Sequence, residues 1–178
     1  IVLLDIDNFK QVNDQFGHIV GDDAIKALAK TVLNIVDLPN TVFRLGGDEI
    51  LIWLPNSNLE RAAALSEKLR SAIQKIRLEQ QPSLKITSSF GISLLSENEN
   101  WKDCVARADR ALYQAKLKGR NTIVIEESCE NYSISTMTEN STLSRVTRRL
   151  LKAWIHSMLN SPFRYSTDRK MATFQLRH

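Results

Sequence analysis

The chain has little cysteine, no long apolar run and, over most of its length, no excess of either charge. Its two cysteines, Cys104 and Cys129, have neither metal-ligand spacing nor the density of a disulfide framework. That excludes a small stapled secreted domain and suits a reducing cytosol. No apolar stretch approaches the length of a membrane span, and no secretory leader is visible. Residues 1–125 carry 16 Lys/Arg against 15 Asp/Glu, whereas residues 126–178 carry 8 against 5. The net positive charge therefore resides mainly in the tail, and binding of nucleic acid by the larger part has no compositional support. What the chain does have is an apolar content of 43%, enough for one ordinary core.

Hydrophobic patterning divides the chain in two. Ile1-Val2-Leu3-Leu4 is a continuous apolar run, as in a strand buried on both faces, and it ends in Asp5-Ile6-Asp7. The sequence starts inside this strand and so reads as truncated at its N-terminus. From Asp22 to Val36, residues Ile25, Leu28, Ala29, Val32 and Ile35 share one helical face. Pro39-Asn40 ends that segment, and a hairpin is expected over residues 41 to 54. Ser57 and Glu60 form a capping-box pattern for a helix to about Leu78. Leu84 to Leu95 reads as a strand kinked or bulged at Gly91, and a helix from about Lys102 should end at Gly119 as its C′ residue. Thr122 to Glu126 is the expected last strand. The class is α/β, an α+β sandwich with a central, mostly antiparallel sheet flanked by helices, and residues 1–126 read as its single domain. Residues 127–178 read as a polar linker and a basic C-terminal extension. Within that extension, Leu143, Val146, Leu150, Leu151, Trp154, Ile155 and Met158 fall at helical spacing. They suggest an amphipathic helix that packs on the domain or a partner rather than on a membrane surface.

Three clusters carry chemistry. Arg44-Leu45-Gly46-Gly47-Asp48-Glu49-Ile50 places two glycines and two carboxylates between apolar strands. Glycines let the backbone turn sharply and let a bulky anion approach, while adjacent Asp and Glu supply hard oxygen ligands of the kind that hold Mg²⁺ beside phosphates. A plain Gly-Asp turn explains this stretch equally well on its own. Asp5 and Asp7 stand at the end of a central strand, where open α/β sheets place ligands. In the stretch that follows, Lys10 can meet phosphate, Asn13 both donates and accepts, and Asp22 can accept two hydrogen bonds from a guanine edge. Asp7 and Asp14 also fit turn or cap roles, and His18 also fits a plain surface histidine. Lys116 and Arg120 lie four apart at a helix end and so share a face, either toward one triphosphate or as a solvated basic strip.

Together these residues resemble the GGDEF family, the diguanylate cyclases. The family pattern D-x-D-x-F-K-x-x-N-D-x-x-G-H-x-x-G-D is matched by Asp5, Asp7, Phe9, Lys10, Asn13, Asp14, Gly17, His18, Gly21 and Asp22. Arg44 to Glu49 match the second signature, Ser89-Phe90-Gly91-Ile92-Ser93 the third, and Ala108 to Asn121 the fourth. The resemblance implies a nucleotidyl-cyclase-like fold and condensation of two GTP into cyclic di-GMP and two pyrophosphates. It implies Mg²⁺, with Mn²⁺ able to replace it, on Asp5, the Ile6 carbonyl, Asp48 and Glu49. Asp48 and Glu49 are then the catalytic carboxylates, Asn13, Asp22 and His18 line the guanine pocket, and Phe9, Lys10, Gly46, Gly47, Lys116 and Arg120 meet the phosphates. Each copy supplies half of the reaction, so a homodimer is expected. The implied setting is a cytoplasmic domain in bacterial second-messenger signalling, attached to the inner membrane only through a preceding region if at all.

Three departures qualify the expectation. Ile50 stands where the family has Phe. The Arg-x-x-Asp product-inhibition motif reads Asp37-Leu38-Pro39-Asn40, with a carboxylate in place of the arginine, so no inhibitory product site is expected. The preceding helix with its Asp-x-Leu-Thr-Gly-Leu-x-Asn-Arg signature is not in the chain, so weak or no turnover is expected of residues 1–178 by themselves. The rival reading is a catalytically silent module that binds GTP or a protein partner. Both metal carboxylates argue for the enzyme.

Overall fold

A computed structural model describes residues 1–37, 40–97 and 99–126. The expected extension over residues 127–178 lies outside the described residues. Among the described residues, five strands form one sheet: β1 (Val2–Ile6), β2 (Thr41–Gly46), β3 (Glu49–Trp53), β4 (Ser88–Ser93) and β5 (Ile123–Glu126). Their order across the sheet is β2-β3-β1-β4-β5. Only the β4–β5 pair is parallel, so the sheet is mostly antiparallel, as the pattern predicts. The continuous apolar run becomes the central strand β1, with all five residues buried.

Alternation along β1 assigns the two faces. Val2, Leu4 and Ile6 join a core with Leu28, Val32, Leu69 and Ile73, which come from α2 (His18–Ile35) and α3 (Leu59–Ile73). Leu3 joins a smaller core with its β3 neighbour Leu51 and with Val105, Ala108 and Leu112, the last three facing it from α4 (Trp101–Leu117). Because side chains alternate at period two, Asp5 shares with Leu3 the face that α4 covers, and Asp7 lies one residue past the strand end. None of the described helices is long and apolar enough to cross a membrane.

Several boundaries differ from expectation for physical reasons. The stretch before Asp22 is helical: α1 (Phe9–Phe16) is followed by α2 starting at His18 rather than Asp22, the two separated by Gly17 at φ +83°. Helix α3 is capped by Asn58 and not by Ser57, since the Asn58 Oδ1 accepts the Arg61 amide at 2.9 Å. It stops at Ile73 rather than near Leu78, where the Lys75 and Ile76 amides turn back to carbonyls three residues earlier.

Strand β4 is shorter than Leu84–Leu95, and Gly91 is not a bulge. It sits in unbroken register opposite Leu3. The glycine is needed because α4 lies directly on it: a Cβ there would fall 2.1 Å from the Ala108 carbonyl oxygen and 2.3 Å from the Leu112 nitrogen. The sheet's irregularity lies instead between Arg44 and Gly46 of β2. At the end of α4, Gly119 takes φ +104° and the Arg120 amide donates to Ala115 O at 3.1 Å, the closing bond of a Schellman motif.

Candidate functional site

The antiparallel register of β1 and β3 pairs Asp5 with Glu49, which brings the end of the central strand beside the β2–β3 turn. That turn is made by Gly47 at φ +50°, a conformation without Cβ penalty only for glycine, and the Arg44 Nε donates to its carbonyl at 2.9 Å. Asp48 follows at the turn's end. Carboxylates from two segments distant in sequence thus converge on one edge of the sheet.

Their environment is low in compensating charge. Asp5 is only 7% exposed, and Lys116 Nζ lies 2.8 Å from its Oδ1. Burial pushes the Asp5 carboxyl up from its ordinary value, against the hydrogen bond and charge of Lys116. Asp48 is pushed up to about 6, first by burial and then by the charge of Asp5, with its own amide, Lys116 and Arg44 opposing. Glu49 is raised by burial and by Asp5 as well. Asp109, on α4 seven residues before Lys116, is raised by burial, and its charge acts on Glu49.

This donor set has the chemistry of a hard divalent-cation site, all oxygen and predominantly anionic. Among the described residues, however, no three His, Cys, Asp or Glu side chains are already gathered at metal-binding distance. The residues fit such an ion by type. Asp5, Asp48 and Glu49 could hold it, with the Ile6 backbone carbonyl at the same strand end.

The guanine-pocket candidates come together around the break between α1 and α2. A Cβ on Gly21 would fall 1.9 Å from Asn13 Oδ1 and 3.3 Å from the Phe9 ring, so both side chains lie directly over this glycine. Asp22 is next in sequence and exposed, as is His18. Lys10 is exposed and makes no ion pair among the described residues. Gly46 closes β2 and is half-buried.

One expectation about phosphate contacts needs correction. Lys116 and Arg120 do not share a helical face, because α4 ends at Leu117 and Arg120 stands beyond it with φ +65°. Lys116 is on the last turn of the helix, while Arg120 is carried by the left-handed turn that follows.

Asp7, read from the sequence as a strand-end carboxylate or a turn or cap residue, has a more definite place in the fold. It is 7% exposed and accepts Thr87 Oγ1 at 2.7 Å, Ser89 Oγ at 2.6 Å and the Asn121 amide at 2.9 Å. It is a buried junction and not a turn cap. Its two-residue spacing from Asp5 on a buried strand was the available signal, and its partners were not visible without the fold.

A central strand ending in carboxylates beside a Gly-Gly turn, inside a five-stranded sheet flanked by helices, defines an α+β domain with an acidic site at its strand ends. The profile of the family described as diguanylate cyclase, GGDEF domain, matches residues 1–122, and the chain belongs to this family. Similar curated proteins include diguanylate cyclase VdcA of Vibrio cholerae, 35% identical over 128 residues, which span 70% of this chain and 38% of that protein. Diguanylate cyclase DgcM of Escherichia coli is 36% identical over 124 residues, spanning 70% of this chain and 30% of DgcM. The chain therefore spans about a third of the curated relatives it matches. The crystal structure of the GGDEF domain of DgcB from Caulobacter crescentus, in complex with c-di-GMP, superposes with a TM-score of 0.66 at 30% identity. That match covers 70% of this chain and 75% of the DgcB chain.

Proposed function

We propose that the chain carries one half-site of a diguanylate cyclase, joining two GTP molecules into cyclic di-GMP with release of two pyrophosphates. The observation that supports this most is the convergence of Asp5, Asp48 and Glu49 beside Lys116, close enough for the charge of Asp5 to act on both other carboxylates. In the reaction each 3′-hydroxyl attacks the α-phosphorus of the other nucleotide. The new P–O bond forms as the bond to pyrophosphate breaks, and the hydroxyl proton leaves to a base. Asp48, at the end of the Gly46-Gly47 turn beside Asp5, suits acceptance or orientation of that proton. A magnesium ion, or manganese in its place, held by Asp5, the Ile6 carbonyl, Asp48 and Glu49, would neutralise charge developing on the transferring phosphate.

Asn13 and Asp22 read the guanine edge, with His18 lining the same pocket. Lys10, Lys116, Arg120 and the backbone at Phe9, Gly46 and Gly47 receive the phosphates. One copy presents only one nucleotide, so closure of the product needs a second copy in an antiparallel homodimer. Asp37 and Asn40 leave no guanidinium at the product-inhibition position, so cyclic di-GMP does not bind there.

The test is turnover. The chain fused to the family's preceding helix and a dimerising coiled coil, given GTP and Mg²⁺, is expected to form cyclic di-GMP and pyrophosphate, and Asp48→Ala to abolish both while keeping GTP binding. A fusion that dimerises and binds GTP but makes no product over hours is a nucleotide-binding regulatory module instead.

A further inference from the structure

Residues 119 to 121 form an unusual turn. Gly119, Arg120 and Asn121 have φ of +104°, +65° and +47°, three successive residues on the left-handed side, two of them not glycine. Such a run persists only where its surroundings hold it. Two supports are present. The Asn121 amide donates to Asp7 Oδ2 at 2.9 Å, and the other oxygen of Asp7 is engaged by Ser89 at 2.6 Å. The Asn121 side-chain carbonyl accepts from Gln74 Nε2 at 2.7 Å and Arg70 Nη1 at 3.1 Å, and Arg70 is itself forked onto Glu67 at 2.8 and 2.6 Å.

The geometry ties this turn to the strand that carries the acidic site. Asp5 lies in β1 and Asp7 one residue past its end. Asp5 grips Lys116 on the last turn of α4, and Asp7 grips the backbone of the turn immediately after it. Arg120 stands between these two anchor points, exposed and in no ion pair among the described residues. Its direction is set by backbone that Asp7 holds.

We propose that Asp7 is a positioning residue for the nucleotide phosphates. It acts through the left-handed turn to place Arg120, and Arg70 and Gln74 brace the same turn through Asn121. The inference rests on the GTP-binding reading of the site. Asp7→Asn keeps the shape and can keep the Asn121 amide only by turning its nitrogen onto the Ser89 hydroxyl, so the turn loses the charge-assisted bonds of the carboxylate.

The experiment compares the affinities of the full chain for GTP and for guanosine, which lacks phosphates, in wild type, Asp7→Asn, Arg120→Ala and the double variant. Asp7→Asn is expected to weaken GTP about tenfold and leave guanosine unchanged, and in the Arg120→Ala background to add less than about twofold. Equal losses for GTP and guanosine, unchanged GTP affinity, or full additivity in the double variant would overturn the proposal. Wild-type protein that binds neither ligand overturns the nucleotide reading itself. If Asp7→Asn does not fold, Asn121→Gly serves in its place. It tolerates the left-handed backbone while removing the acceptor of Arg70 and Gln74, and the same outcomes decide.

Discussion

Lys116 Nζ lies 2.8 Å from Asp5 Oδ1, so the lysine from the last turn of α4 neutralises the most buried carboxylate of the acidic edge. This pair joins the helix to the central strand. Replacing Lys116 with Met leaves Asp5 buried without its cation and is expected to lower stability by about 1–3 kcal/mol in chelator. Millimolar Mg²⁺ should then raise the melting temperature more in Lys116→Met than in wild type, because the ion replaces the lost charge. Thermal melts with EDTA and with Mg²⁺ check this. An equal Mg²⁺ effect in the two proteins would mean that the cation does not bind beside Asp5.

Gly91→Ala is expected to unseat α4. The added methyl would meet backbone atoms of Ala108 and Leu112 at 2.1 and 2.3 Å, and neither can swing aside as a side-chain tip could. A cost of about 3 kcal/mol or more follows from overpacking against rigid backbone. Urea titration should show a lowered midpoint or no folded baseline, whereas Gly91→Ala with a wild-type midpoint would place α4 elsewhere.

These two predictions also show where legibility ended. The central strand, the α4 stripe of Val105, Ala108, Leu112 and Ala115 and the glycine at its end were readable because periodicity and a C′ glycine are local signals. Gly91 was not, since a bulge and the close approach of another element demand the same residue. Asp7 was not, because its partners Ser89 and Asn121 are 82 and 114 residues away in the chain. The pairing of Lys116 with Arg120 along one helix contradicted the reading of Gly119 as the helix stop. Only the stop survives, because the Schellman bond to Ala115 ends the helix before Arg120.

The Glu99–Arg107 pair anchors the start of α4 and should make stability depend on pH. Arg107 donates to both carboxylate oxygens of Glu99 and to Leu94 O at 2.5 Å, and the Ser96 amide adds a bond to Glu99 at 3.1 Å. Burial works against the charged form of Glu99, but the Arg107 hydrogen bonds, the Ser96 amide and the Arg107 charge outweigh it and hold the carboxyl below its ordinary 4.5. A lowered folded-state pKa contributes stability that is complete above the unfolded value and is lost as pH falls through the folded one. Glu99→Gln should therefore cost about 2–3 kcal/mol at pH 7, and the gap to wild type should shrink steadily below pH 4.5. Urea midpoints of both proteins from pH 7 to pH 3 measure it, and a gap independent of pH would sink the claim.

Base selectivity is the last expectation, and one glycine should control it. In the proposed site Asp22 and Asn13 complement guanine, whereas adenine would set a ring-nitrogen acceptor against the Asp22 carboxylate at a cost of about 1–3 kcal/mol. Wild type is thus expected to prefer GTP over ATP by about tenfold or more. A Cβ at Gly21 would fall 1.9 Å from Asn13 Oδ1, the movable tip of a side chain, so Gly21→Ala should push the amide out of place without disturbing the backbone. Alanine also favours the helix, so stability should stay within about 1 kcal/mol of wild type. The variant should retain phosphate-driven binding of both nucleotides while its preference for GTP narrows several-fold. Calorimetric titration of each nucleotide into both proteins decides the matter. Equal GTP and ATP affinities in wild type would remove guanine reading from this site, and an unaltered preference in Gly21→Ala would remove Asn13 from it.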